Sequence, residues 1–219
     1  EINHRYLRSQ QLLSDLRRAI NGTFPGLALH YQPILGLKQD VMGVEVLLRW
    51  NHPSMGYISP LEVVELAENN QLGLPFGRWL LQRLKQDLYK LPDEMREHLY
   101  FSINVSPSQF TPRLPNSLAK WLADAPISAD QLLLEMTESI SVANFNECQG
   151  ILQQINALGV DIALDDFGTG YSSLSYLSSL KVQRIKIDKS FIQGISQDLQ
   201  MQRVVRSIID LCHGFNFSV

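Results

Sequence analysis

"DIALDDFGTGYSSL", Asp161 to Leu174, carries an apolar run into two adjacent carboxylates, Asp165 and Asp166, and then into a glycine-punctuated turn. Read outward from it, the same kind of short apolar strand recurs along the chain: "LALHYQPIL" (27–35), "VMGVEVLLRW" (41–50), "LYFSINV" (99–105), "LLLEMTE" (132–138), "VDIALDDF" (160–167), "VQRIKID" (182–188) and a last stub, "FNFSV" (215–219). Amphipathic helical stretches lie between them: "SPLEVVELAENNQ" (59–71), "PFGRWLLQRLKQDLYKL" (75–91), "NECQGILQQINALG" (146–159) and "DLQMQRVVRSIIDLCHG" (198–214). Gly159 and Gly214 stand where helix C-caps are expected. Continuous apolar strands joined by helices predict a mainly parallel sheet buried on both faces, in an α/β protein. The opening "EINHRYLRSQQLLSDLRRAI" (1–20) repeats Leu at helical spacing. It reads either as a linker helix from an upstream module or as a helix packed on this domain, so residues 1–22 are set apart from a domain over 23–219.

Two architectures fit this alternation, a (β/α) barrel and an open doubly wound sheet, and the polar residues help decide. Glu45, Asn104, Glu135, Asp165 and Lys186 each come late in, or just after, a different apolar strand. In a barrel, strand ends on one rim converge on one mouth; an open sheet would spread them. Alternation along a strand puts Glu45, Leu47 and Arg49 on one face and Val44, Val46 and Leu48 on the other. Asp165 and Asp166 point to opposite faces unless a turn begins there. Each of these residues alone reads as a satisfied polar group, Asn104 as a helix cap and Asp166 as an acceptor for the "FGTG" turn. Together they place three or more carboxylates at one rim, which is costly without cations. Oxygen donors, no cysteine pair and no metal-ligand spacing among His4, His30, His52, His98 and His213 favour magnesium or manganese over zinc. Two such ions suit in-line hydrolysis of a phosphodiester.

Composition narrows the partners. The 219 residues suffice for one large domain, and the net charge of -3 argues against a nucleic-acid duplex while leaving room for a small anionic ligand. No apolar run approaches a membrane span, and Cys148 and Cys212 show no paired spacing, so a reducing, cytoplasmic domain is expected. The chain opens with Glu1 rather than methionine, which reads as a piece of something longer.

At this point six segments, in order, resemble the EAL-domain cyclic-di-GMP phosphodiesterases: "YQPI" (31–34), "GVEVLLRW" (43–50), "INVSPSQF" (103–110), "LEMTES" (134–139), "LDDFGTGYSSLSYL" (164–177) and "IKIDKSF" (185–191). The resemblance implies a modified TIM-type (β/α)8 barrel and hydrolysis of cyclic-di-GMP to linear pGpG. It implies that Glu45, Asn104, Glu135 and Asp165 ligate metal, with Asp166 bridging or ligating a second ion, and that Lys186 holds or polarises the attacking water. Gln32 and Arg49 would contact the dinucleotide, Arg49 through a phosphate. Glu138 would anchor the "DDFGTG" turn, which by resemblance links the metals to a dimer interface; a surface charge opening the next helix competes for Glu138. Phe167 and Tyr171 read as packing residues. Magnesium or manganese would serve as cofactor, and calcium would inhibit. A homodimer and an upstream sensor or cyclase-like domain are implied, with membrane anchoring of the parent open. The other reading is a catalytically silent EAL module that binds cyclic-di-GMP or a protein partner.

Two departures stand out. The signature tripeptide is E-V-L, with Val46 for alanine; Val46 faces away from Glu45, so the ligand set is expected to be unchanged. The family pattern also continues past Val219 with a strand bearing V-A-E-G-V-E. The barrel is therefore expected to be incomplete here, with the general-base glutamate, the eighth strand and a downstream glutamine outside the chain, and the 219 residues alone are expected to turn over negligible substrate.

Overall fold

The computed structural model describes residues 2–138, 145–169, 177 and 179–219, and builds them around one seven-stranded sheet. Its strands are β1 (Leu27–Leu35), β2 (Val41–His52), β3 (Gly56–Ile58), β4 (Tyr100–Asn104), β5 (Leu132–Thr137), β6 (Asp161–Phe167) and β7 (Arg184–Ile187). β4 pairs in parallel with β2, and β5, β6 and β7 each pair in parallel with the strand before. An unreversed order of this kind is a barrel wall; a doubly wound sheet reverses at a switch point. The "FNFSV" stub continues the wall as a single parallel bridge: Ile185 N–H donates to the Ser218 carbonyl (2.8 Å) and Ser218 N–H to that of Gln183 (3.0 Å).

The sheet is mainly parallel, as expected, and departs from that only at its first edge. β1 and β2 form an antiparallel hairpin and β3 folds back antiparallel on β2. The reason is length: five residues, 36–40, join β1 to β2, whereas a parallel crossover needs a dozen or more. Glu45 accordingly sits near the middle of a twelve-residue strand instead of late in it. It still lies at the rim, because only Gly43–Val46 of β2 pairs with β4.

Helices cover the outer face: α1 (Ile2–Ile20), α2 (Pro60–Asn69), α3 (Gly73–Leu88), α4 (Asp93–Arg96), α5 (Leu114–Leu122), α6 (Phe145–Ala157), α7 (Lys189–Ile192) and α8 (Leu199–Gly214). Ser59 starts α2, its hydroxyl accepting from Glu62 N–H (3.1 Å), with Pro60 in the first turn. In α3 the buried residues Phe76, Leu80, Leu84 and Leu88 recur every four positions and face the sheet. β5 buries Leu132 through Met136 without a break, as a strand covered on both sides must. Gly159 takes φ +86° after α6, as a C-cap does; Gly214 does not, and the left-handed residue after α8 is Asn216 (φ 62°).

The core divides in two. The larger part lies between β4–β7 and α3, α5 and α6; the smaller joins Leu12, Leu16 and Ala19 of α1 to Trp50, Ile58, Val63 and Phe76. The inner half of α1 is thus packed on the domain. It is also bolted to β2 by a buried pair, His52 Nε2 with Asp15 Oδ2 (3.2 Å). Ser54 and Met55 N–H groups donate to His52 Nδ1, so the ring proton sits on Nε2 and is donated to Asp15. Burial would raise the Asp15 carboxyl, but Gln11, His52 and Arg18 outweigh it and hold it below the usual carboxylate range.

Candidate active site

Register brings the expected mouth residues onto one face of the wall. Glu45 lies level with Ser102, Asn104 with Glu135, and Thr137 with Asp165. Lys186 follows two residues after Arg184, which is level with Ala163 on the Asp165 face. The Lys186 ammonium reaches into the middle of the group, 2.5 Å from Glu135 Oε2, 3.4 Å from Asp165 Oδ2 and 3.9 Å from Glu45 Oε1. Asn104 Nδ2 donates to Glu45 Oε1 (3.2 Å) and the Ser102 hydroxyl donates to Glu135 Oε1. Five of the expected residues, from five strands, therefore meet.

Glu135 is 1% exposed, and burial pushes its carboxyl above the usual range against the opposing pull of Lys186 and Ser102. Burial alone would lower Lys186; Glu135 first, then Asp165 and Glu45, outweigh it and hold the ammonium charged more firmly than a free lysine. With all four groups ionised the cluster has three negative charges and one positive, leaving two in excess. The acids gather around the ammonium rather than around one another, so among the described residues no three acids, histidines or cysteines form a cage for an ion. The donor set nevertheless fits a hard dication: three carboxylates and an amide, all oxygen donors, with two uncompensated charges.

Asp166 departs from strand geometry. Its φ is 54°, and the β6–β7 register breaks between Leu164 and Phe167. The alternation that would send Asp165 and Asp166 to opposite faces ends there. The Asp166 main-chain carbonyl, not its carboxylate, closes the turn, accepting from the Thr169 hydroxyl (2.9 Å). Burial, then the Asp165 and Asp188 carboxylates, raise the Asp166 carboxyl above its ordinary range. Gly168 follows at φ +100°, where an added Cβ would lie 2.8 Å from the Phe191 ring, so the turn admits little but glycine. Phe167 is buried, as a packing residue should be; Tyr171 lies outside the described residues, as do Gly170 and residues 172–176 of the same segment.

The remaining expected residues stand apart from the cluster. Gln32 faces Glu45 directly across the β1–β2 ladder and is exposed. Arg49 is four residues beyond Glu45 on the same face of β2, roughly 13 Å along the strand. Among the described residues its guanidinium bonds only to the Leu48 carbonyl (2.7 Å), which leaves most of its donors for a ligand. Glu138 is buried, which removes the surface-charge reading. Sequence reasoning passed over Ser102 and Asp188. Ser102 had a signal, since it precedes Asn104 by two in β4 and must share its face; exposed Asp188, which caps α7 by accepting from Ser190 N–H (2.9 Å), had none.

Comparison with known proteins agrees with this fold. The family model described as "EAL domain" matches residues 13–219. The chain is 36% identical over 211 residues to the bifunctional diguanylate cyclase/cyclic di-GMP phosphodiesterase MucR of Pseudomonas aeruginosa, covering 95% of this chain and 30% of MucR. It is 32% identical over 220 residues to the cyclic di-GMP phosphodiesterase PdeR of Escherichia coli, covering all of this chain and 33% of PdeR. It thus spans about a third of these relatives. Among solved structures, the PaMucR phosphodiesterase in complex with c-di-GMP superposes with a TM-score of 0.84 at 38% identity, over 94% of this chain and 84% of that one.

Proposed function

The chain belongs to the EAL-domain family, and from that premise we propose that the protein containing it hydrolyses cyclic-di-GMP to linear pGpG. The observation that carries the reading is the meeting of Glu45, Asn104, Glu135 and Asp165 around Lys186. The relatives named as cyclic di-GMP phosphodiesterases and the c-di-GMP complex of PaMucR support the substrate.

In this proposal Glu45, Asn104, Glu135 and Asp165 hold one magnesium or manganese ion and Asp166 helps to hold a second. Bound there, the dications supply Lewis acidity for water and for the scissile phosphate. Arg49 grips a phosphate with a planar fork suited to two oxygens, and Gln32, across from Glu45, fixes the dinucleotide at the mouth. Lys186, drawn to the mouth by the three carboxylates when no ion is bound, orients the attacking water with its ammonium. Ser102 holds Glu135 from behind. Glu138 anchors the turn that begins at Asp165. Water adds across one of the two 3′,5′ phosphodiesters, so the ring opens to a free 3′-hydroxyl and a terminal 5′-phosphate, and the second phosphodiester stays intact. On the same footing we place the domain in the cytoplasm as a homodimer, with input from a sensor or cyclase-like domain elsewhere in the protein; no helix among the described residues is long and apolar enough to cross a membrane.

The test is anion-exchange chromatography of cyclic-di-GMP incubated with the purified full-length protein. With magnesium or manganese the expected product is pGpG; a chelator stops its formation, and added calcium inhibits through longer bonds and looser geometry. Tight binding of cyclic-di-GMP without any pGpG, in either metal, would make the domain a receptor and refute the proposal.

A further inference from the structure

On the outer side of the wall, between α3 and α5, lies a pocket of about 100 Å³ whose floor is Ile103, Asn104 and Val105. Leu81 and Leu118 are among its apolar walls, and among the described residues no acidic one lines it. Its polar groups all carry donors. Arg78 and Arg113 line it and are exposed, and neither guanidinium has an ion pair or hydrogen bond among the described residues. Gln109 also lines it and is only 7% exposed. Its Oε1 accepts from Ser106 N–H (3.0 Å), while its Nε2 faces α3, where a side-chain carbon at Gly77 would lie 3.3 Å away. That amide nitrogen has no partner among the described residues.

An apolar hollow left unfilled is costly, and Gln109 Nε2, still reached by solvent, offers it N–H groups with no partner among the described residues. One class of molecule fills the hollow and takes those donors: an apolar body with an anionic head. We propose that this pocket binds a small organic carboxylate, its body against the leucines and its head between Gln109, Arg78 and Arg113. The volume limits the body's size: a dry cavity of about 150 Å³ takes benzene, and this pocket, about 100 Å³ and open at its mouth, takes a single ring only part-way in, with its carboxylate-bearing edge at the mouth, or a chain of about three or four carbons. Charge complementarity decides the head, because two free guanidinium groups and an amide N–H face no protein carboxylate here. Asn104 forms part of both this floor and the inner cluster, so the pocket is an effector site of the enzyme proposed above. That step rests on the phosphodiesterase reading; binding does not.

The probe is 4-fluorobenzoate, titrated into the protein and followed by fluorine NMR. Saturable binding with a Kd on the order of 1 mM is expected from a ligand of this size. 4-Fluorobenzamide, which keeps the body and loses the charge, should bind at least about tenfold more weakly. Arg113→Ala should weaken 4-fluorobenzoate by about fivefold or more, and Ser117→Phe, at an exposed lining position on α5, should block it, with circular dichroism unchanged in both. The benzamide binding as well as the benzoate, or both variants binding as well as wild type, would overturn the site. Saturating 4-fluorobenzoate should alter cyclic-di-GMP turnover in wild type and not in Ser117→Phe; unchanged wild-type turnover would overturn the effector step. Loss of turnover without the probe refutes the phosphodiesterase reading and leaves the binding result standing.

Discussion

Lys186→Met removes the only cation among the described residues that faces Glu45, Glu135 and Asp165, and its consequences can be worked from the geometry. The ammonium is 2.5 Å from Glu135, the most deeply buried of the three acids. Removing one partner of a buried pair costs about 3–5 kcal/mol, which solvent screening of a lysine side chain 32% exposed reduces to about 2–3 kcal/mol. For a chain of this size that corresponds to a fall in Tm of roughly 5–10 °C. The cost depends on pH. Glu135 already holds its proton above the usual carboxyl range, and losing Lys186 pushes it further. An acid whose folded pKa is raised binds more protons folded than unfolded, so stability is retained at low pH and lost as pH rises through the folded pKa. The Tm deficit, measured by scanning fluorimetry with chelator present, should therefore be largest at neutral pH and shrink on acidification. Manganese should raise Tm more in the variant than in wild type, since a dication can replace the missing charge without competing against an ammonium. A variant matching wild type at every pH, with or without manganese, would refute this reasoning.

Glu45→Ala in the full-length protein should abolish turnover while changing Tm by less than about 1 kcal/mol equivalent, because a mouth residue contributes little to the core; pGpG formation and scanning fluorimetry check the two halves. Gly168→Ala should cost about 1–3 kcal/mol and lower turnover, as a methyl group at φ +100° meets the Phe191 ring beside Asp166; urea unfolding measures the first effect. His52→Ala leaves the buried Asp15 carboxylate with Gln11 and Arg18 alone and should destabilise by about 2–4 kcal/mol. Hydrogen exchange over residues 12–19 should rise with it, and unchanged protection there would contradict the pinning of α1.

Much of the wall was legible because its residues obey one constraint. β5 could be read from Leu132–Met136, five buried residues in a row with Glu135 among them, since a carboxylate inside such a strand needs a purpose. Asn104 and Lys186 were legible for the same reason. The hairpin of β1 and β2 was not read although the five-residue gap at 36–40 carried the signal; reading strands by composition alone ignores what their connections can span. β3, three residues long, carries too little periodicity to be read at all. Asp166 was legible as an acid, but its left-handed backbone is set by the turn and by Phe191 packing on Gly168, contacts that sequence spacing does not contain. His52 was set aside for lacking metal spacing, and its partner Asp15 lies 37 residues away on another element.

The most direct measurement is anomalous diffraction at the manganese edge from crystals of the protein soaked with manganese. A peak is expected among Glu45, Asn104, Glu135 and Asp165, with Lys186 Nζ withdrawn from the carboxylates, and a second beside Asp166. Manganese bound elsewhere, or no peak in the cluster at saturating ion with Lys186 still 2.5 Å from Glu135, would contradict the assignment of this mouth as a divalent-cation site.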